Sequence, residues 1–125
     1  MESQKTYKER IVEARVTAAD ASSDLQAEYI MELDVSEVCE FADYFVVLTV
    51  QSPRQMRAVV DEIESRLKAF SLPLHHREGD NTSGWTLLDY GDLVIHILGK
   101  DFREFYAIEK TWIDDHDANI IRITQ

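Results

Sequence analysis

From Thr6 to about Ala19, the apolar residues Tyr7, Ile11, Ala14 and Ala18 return at helical spacing, and Thr6 with Glu9 has the form of a capping box. This predicts a surface helix with a thin apolar stripe. Ser22, Ser23 and Asp24 interrupt the pattern, and Tyr29-Ile30-Met31-Glu32-Leu33-Asp34 reads as a strand. The run Asp43 to Val50 is almost continuously aromatic or β-branched, which predicts a strand covered on both faces near the middle of a sheet. A second helix follows it directly. Ser52 can cap, Pro53 suits the first helical position, Gln55 gives another capping-box pattern, and Met56, Val59, Val60, Ile63, Leu67 and Phe70 share one face up to the stop at Pro73. Leu74 to Arg77 reads as a short strand and Glu78 to Gly84 as a loop by composition. Trp85–Asp89 and Leu93–Leu98 read as a hairpin around Tyr90-Gly91-Asp92, where glycine permits a positive φ. Asp101 can cap a last helix running to about Ile113. The tail carries Ile120, Ile121 and Ile123, and either adds an edge strand or frays.

This order predicts an α/β or α+β fold, a mixed sheet of about five strands with helices packed on it. The strand ending at Val50, the Ser52 helix and the Arg77 strand form a crossover unit. At 125 residues the chain reads as a single domain, residues 1–125, with 45% hydrophobic and 30% charged residues and neither repeat nor low-complexity linker. One cysteine, Cys39, allows no internal disulfide, and no signal-type or bilayer-length apolar run is present. A cytoplasmic protein without a membrane role is the expectation. Asp and Glu number 24 against 13 Lys and Arg, and the net charge of −11 disfavours binding nucleic acid by phosphate neutralisation and favours a basic partner surface.

Candidate chemistry concentrates between Trp85 and Trp112. On a helix after Asp101, Phe102, Phe105, Tyr106, Trp112 and Ile113 fall on one stripe with Glu109 in its middle. Two readings stay open: Glu109 is satisfied by a core group such as His96 or Arg103 or by reaching past the rings to water, or part of the stripe is exposed and meets a partner. Asp89, Asp92 and His96 are residue types of metal and acid–base sites, but aspartates bracketing a turn and a lone histidine in an apolar strand have ordinary structural roles. His75-His76 and Asp114-Asp115-His116-Asp117 read as exposed loop residues. No phosphate loop, dinucleotide fingerprint, zinc-protease motif or nucleophile elbow occurs, and Cys39 has no activating neighbour.

Taken together, Asp43 to Val47, Ser52 with Arg54-Gln55, Glu78-Gly79, the run Trp85 to His96 containing Leu88-Asp89-Tyr90-Gly91-Asp92, and Arg103-Glu104-Phe105-Tyr106 with Glu109 and Trp112 resemble the ribosomal silencing factor family, also called Iojap or RsfS. The resemblance runs from about Asp34 to Trp112. It implies a nucleotidyltransferase-like α/β domain without that catalysis, hence no enzyme, no cofactor and no metal. It further implies binding to the large ribosomal subunit through the protein uL-fourteen, which keeps the small subunit from joining and represses translation; organelle relatives act in large-subunit assembly. The family's motif positions are Trp85, Asp89, Tyr90, Asp92, Arg103, Tyr106, Glu109 and Trp112, expected as partner-binding residues with Trp85 and Tyr90 foremost. An enzyme holding a divalent ion on Asp34, Asp43 or Asp89 is the rival from another class. A homodimer of the free protein through the same aromatic surface is a third reading.

Overall fold

The longest apolar run becomes the axis of the sheet. In the computed structural model, which describes residues 5–101 and 118–124, β2 (Tyr44–Val50) is buried along its whole length. It pairs in parallel with β5 (Leu93–Gly99) on one side and antiparallel with β1 (Glu28–Asp34) on the other. Six strands form one mixed sheet in the order β3-β4-β5-β2-β1-β6, where β3 is His76–Asp80, β4 is Trp85–Asp89 and β6 is Asn119–Thr124. The isoleucine-rich tail thus takes the edge-strand alternative and raises the count from five to six.

Helices α1 (Tyr7–Asp24) and α2 (Pro53–Leu67) pack on one face. There Ile11, Ala14 and Ala18 of α1 and Met56, Val59 and Ile63 of α2 meet Val46, Leu48, Ile95 and Ile97 of the strands. The alternate strand residues Phe45, Val47, Val94 and Leu98 form a second cluster with Leu33, Val35 and Ala118 on the opposite face, as the two-residue period of a strand requires.

The Thr6 capping box is present in both directions: the Thr6 hydroxyl accepts from Glu9 N at 3.1 Å and the Glu9 carboxylate accepts from Thr6 N at 3.2 Å. Beyond Ala19, α1 runs five residues further than its pattern predicts. Ser22 is buried inside it and donates its hydroxyl to the Ala18 carbonyl at 2.8 Å, so a residue type that usually ends helices is satisfied within the turn below. At the start of α2, Ser52 accepts from Gln55 N at 3.1 Å, but the Gln55 amide does not close a box. Its oxygen accepts from Gln51 N at 2.7 Å and its nitrogen donates to the Leu25 carbonyl at 3.1 Å, tying the two helices together.

The β2-α2-β3 crossover exists with two strands between its ends. β3 is antiparallel to β4, β4 to β5, and β5 is parallel to β2, so β2 and β3 run the same way. Part of the expected loop is strand, because Glu78, Gly79 and Asp80 pair with Leu87, Thr86 and Trp85. Gly79 makes this pairing feasible with φ at 72°, since a Cβ there would lie 2.2 Å from the Trp85 carbonyl oxygen. Among the described residues no helix is long and apolar enough to cross a membrane.

Candidate functional site

The β4–β5 hairpin sets the geometry of the motif. Trp85, Leu87 and Asp89 face Leu98, His96 and Val94 across the antiparallel ladder. Trp85 and Leu87 lie half-buried against the cluster opposite the helices. At the turn Gly91 has φ of 89°, Tyr90 N donates to the Leu93 carbonyl at 2.8 Å, and the Asp89 carboxylate accepts from Gly91 N at 2.7 Å. Three other segments are fastened here. His75 N donates to the Asp89 carbonyl at 2.8 Å, and Asp43 N and Tyr44 N both donate to the Asp92 carbonyl at 2.9 Å. The Tyr7 hydroxyl, held above its ordinary pKa by burial and then by its hydrogen bond to Asp92, brings in the first turn of α1.

Tyr90, named with Trp85 as a leading contact residue, is only 4% exposed and belongs to the helix-side core. Two-residue alternation from Leu88 carries its ring inward, and burial, with Glu64 nearby, pushes its hydroxyl up to about 12. Its ring anchors the hairpin to the core. Trp85, Asp89 and Asp92 retain partial exposure. Arg103, Tyr106, Glu109 and Trp112 lie outside the described residues, as do most of the expected last helix and the cluster from Asp114 to Asp117.

The sequence reads His96 as a hydrogen-bonded core histidine or a partner of Glu109, and Glu109 lies outside the described residues. The Nε2 of His96 is shielded from solvent and has no hydrogen-bond partner among the described residues, and its ring meets Phe45 edge-on at 4.9 Å. Burial pushes its pKa down to about 4, leaving the imidazole neutral at pH 7.

Two of the three carboxylates of the rival metal reading, Asp34 and Asp89, are occupied locally. Asp34 accepts from Ser36 N at 2.9 Å and from the Ser36 hydroxyl at 2.6 Å, while Asp89 closes its own turn. Among the described residues no group of three or more His, Cys, Asp or Glu is placed to hold a metal ion. A depression of about 310 Å³ at the carboxyl ends of β2 and β5 is lined by Gln51, Ser52, Gly99 and Lys100. It occupies the usual ligand position of an α/β sheet, but side chains already meet the Gln51 and Gln55 amides there.

Two features escaped the sequence reading. Glu32, 1% exposed on β1, accepts from Arg15 Nε of α1 at 2.9 Å and from Arg122 Nε of β6 at 2.5 Å. Arg122 continues to Asp20 at 3.2 Å, and the Arg15 guanidinium sits 4.9 Å from the Tyr44 ring centre. The only signal was a carboxylate inside an apolar strand. The second feature is the β1–β2 loop, where Glu37, Glu40, Asp43 and Asp92 line an open depression beside Phe41, which is 65% exposed. A surface of this sign and shape complements a basic, partly apolar one.

Comparison with known proteins converges on one family. The family described as ribosomal silencing factor during starvation matches residues 8–125. A ribosomal silencing factor of Bacillus subtilis is 36% identical over 97 residues, covering 78% of this chain and 82% of that protein. A mouse protein named for mitochondrial assembly of the ribosomal large subunit is 33% identical over 75% of this chain, which spans 44% of that longer protein. The crystal structure of a Chromobacterium violaceum protein superposes with a TM-score of 0.77 at 31% identity, over 82% of this chain and 85% of that one.

Proposed function

This chain belongs to the ribosomal silencing factor family, and from that premise we propose that it binds the large ribosomal subunit through the protein uL-fourteen and occupies space the small subunit needs. Translation is repressed sterically, and no bond is made or broken. The observation that carries the reading is a family match extending from the first turn of α1 through β6, with the whole described sheet inside it. Charge supports it as well: a chain of net charge −11 is drawn toward a basic ribosomal protein, and aromatic side chains supply the short-range affinity.

The docking surface is the stretch from Trp85 to Trp112, with Trp85, Asp89 and Asp92 as its partly exposed described members and Arg103, Tyr106, Glu109 and Trp112 completing it. Tyr90 acts from the core by holding the turn. The relative named for large-subunit assembly favours a second reading, in which the same docking serves maturation of the subunit.

Cosedimentation with separated subunits, followed by a subunit-joining assay, tests both. Binding to the large subunit alone with loss of joined ribosomes is expected. Binding that leaves joining intact selects the assembly reading, and no binding at moderate salt removes the ribosome altogether. Trp85→Ala, with its fold checked by circular dichroism, should weaken large-subunit binding about tenfold or more, the loss of a typical aromatic hot spot.

A further inference from the structure

Most cations of this acidic chain are tied to carboxylates: Lys5 to Glu13, Arg15 and Arg122 to Glu32, Arg66 to Asp24 and Glu62, and Arg77 to Glu64. Arg54, Arg57 and Lys100 are exposed and form no ion pair among the described residues. Lys8 and Lys68 share that condition, but they stand at the far end of the sheet, beside the Arg10–Phe70 contact. The first three surround one groove. It consists of two depressions, of about 310 and about 220 Å³, that meet at Met56 and Asn81. Lys100 lines the larger and Arg57 the smaller, and Arg54 lies one turn of α2 before Arg57 on the same face. Gly84 and Gly99 keep the larger depression open, with Gly99 N donating to the Gly84 carbonyl at 2.7 Å. Amides around the start of α2 are already taken, Gln51 N by the Gln55 side chain and Gln55 N by the Ser52 hydroxyl, so side-chain cations supply the positive charge. Three carboxylates share the groove. Asp80 is turned into its own loop, accepting from Thr82 N at 2.9 Å and Ser83 N at 2.8 Å, while Asp61 borders the smaller depression and Asp101 the larger.

Resting on the ribosome-docking reading, we propose that Arg54, Arg57 and Lys100 form a second contact surface, which meets the phosphate backbone of RNA beside the docked protein partner. Position supports this. Asp80 pairs with Trp85 and Gly84 precedes it, so the groove adjoins the Trp85 docking surface, and docking there brings the groove against a subunit whose surface is largely RNA. Chemistry supports it as well, because guanidinium groups one helical turn apart can each take a phosphate along a strand, without any need to read the bases. The net charge of −11 then sets when the contact forms. It repels loose RNA from the free chain, whereas docking on a basic protein holds the three cations at high local concentration beside the backbone. RNA contact is thus conditional on docking and favours an assembled subunit over free RNA. The sign of a charge change separates RNA from protein as the occupant. A basic protein surface is repelled by these cations, so neutralising them would tighten binding, whereas phosphates are attracted and neutralising them would loosen it.

Titration of purified large subunits with the full chain across a range of salt concentrations tests the proposal. The triple substitution Arg54→Gln, Arg57→Gln and Lys100→Gln should weaken binding about tenfold or more at low salt and make the plot of log affinity against log salt less steep by about two, the share of three single-strand phosphate contacts. The double substitution Lys8→Gln with Lys68→Gln, a charge change of the same sign at the far end of the sheet, should not weaken binding. Arg54→Lys with Arg57→Lys keeps the charge and should keep most of the affinity. Should the triple variant fold poorly by circular dichroism, an Asn81→Cys chain with an aryl azide on that thiol replaces it, Cys39 being buried. Irradiation of its complex with the subunit should attach the label to RNA. A triple variant that binds as tightly as wild type or tighter, an unchanged salt slope, or a label found only on protein would each overturn the RNA contact while leaving the docking reading in place. A wild-type chain that does not bind the large subunit would overturn both.

Discussion

The turn at Asp89–Asp92 and the ion pairs around Glu32 are both polar clusters that fasten separate segments, yet they are built on opposite scales. At the turn, Asp89 bonds an amide two residues away, Gly91 supplies the positive φ, and only then do Tyr7, Asp43, Tyr44 and His75 attach. Glu32 depends on partners 17 and 90 positions distant and makes no local side-chain bond among the described residues. The first cluster is a local structure that later collects neighbours. The second exists only once α1, β1 and β6 are together, so its loss should be felt across the whole fold, while damage at the turn should stay nearer the hairpin.

The largest expected effect lies at Glu32. Glu32→Ala leaves the Arg15 and Arg122 guanidinium groups without their shared carboxylate, and removing one partner of a buried pair costs about 3–5 kcal/mol. Arg122 is 44% exposed and is partly rescued by water, which points to the lower end of that range. Urea unfolding measures it, and a loss below about 1 kcal/mol would mean that solvent already screens the network.

Next in size is a pH effect that contrasts the satisfied Glu32 with the His96 Nε2, which has no partner among the described residues. The folded pKa of about 4 lies below the usual value of 6.5, so the unfolded chain takes up the proton first. Stability from neutral His96 is complete above pH 6.5 and is lost as pH falls toward about 4, a change of a few kcal/mol at about 1.4 kcal/mol per pKa unit. Thermal unfolding between pH 7 and 4 should show this decline, and His96→Phe should flatten it; an equally steep decline in that variant would assign the effect to other groups.

The smallest effect belongs to the turn. Asp89→Ala removes the bond to Gly91 N and should destabilise by about 1 kcal/mol, the net worth of a partly exposed hydrogen bond. Amide exchange should quicken at Gly91 and its neighbours while α1 keeps its protection. Exchange rising equally throughout would erase the distinction between a local and a global cluster.

Much of the candidate site was legible as sequence. Trp85, the hairpin strands and the glycine turn stand where the pattern put them, because strand alternation and the positive φ of Gly91 are properties of short segments. The direction of Tyr90 followed from the same alternation, but its burial required α1 and α2 to cover that face. The strand at Glu78–Asp80 was hidden by turn-like composition, since what orders it is a neighbouring strand and the close approach that Gly79 allows.

The sequence by itself determined the two capped helix starts, the doubly covered strand β2, the hairpin and the family resemblance, all of which rest on residues within a few positions of one another or on fixed motif order. Tertiary structure alone decided that two strands lie between β3 and β2, that Glu32 finds Arg15 and Arg122, and that the isoleucine tail becomes an edge. The physical reason is range: caps, periodicity and turn dihedrals are set by neighbouring atoms along the chain, whereas strand order and buried ion pairs are set by which distant surfaces remove the most apolar area from water.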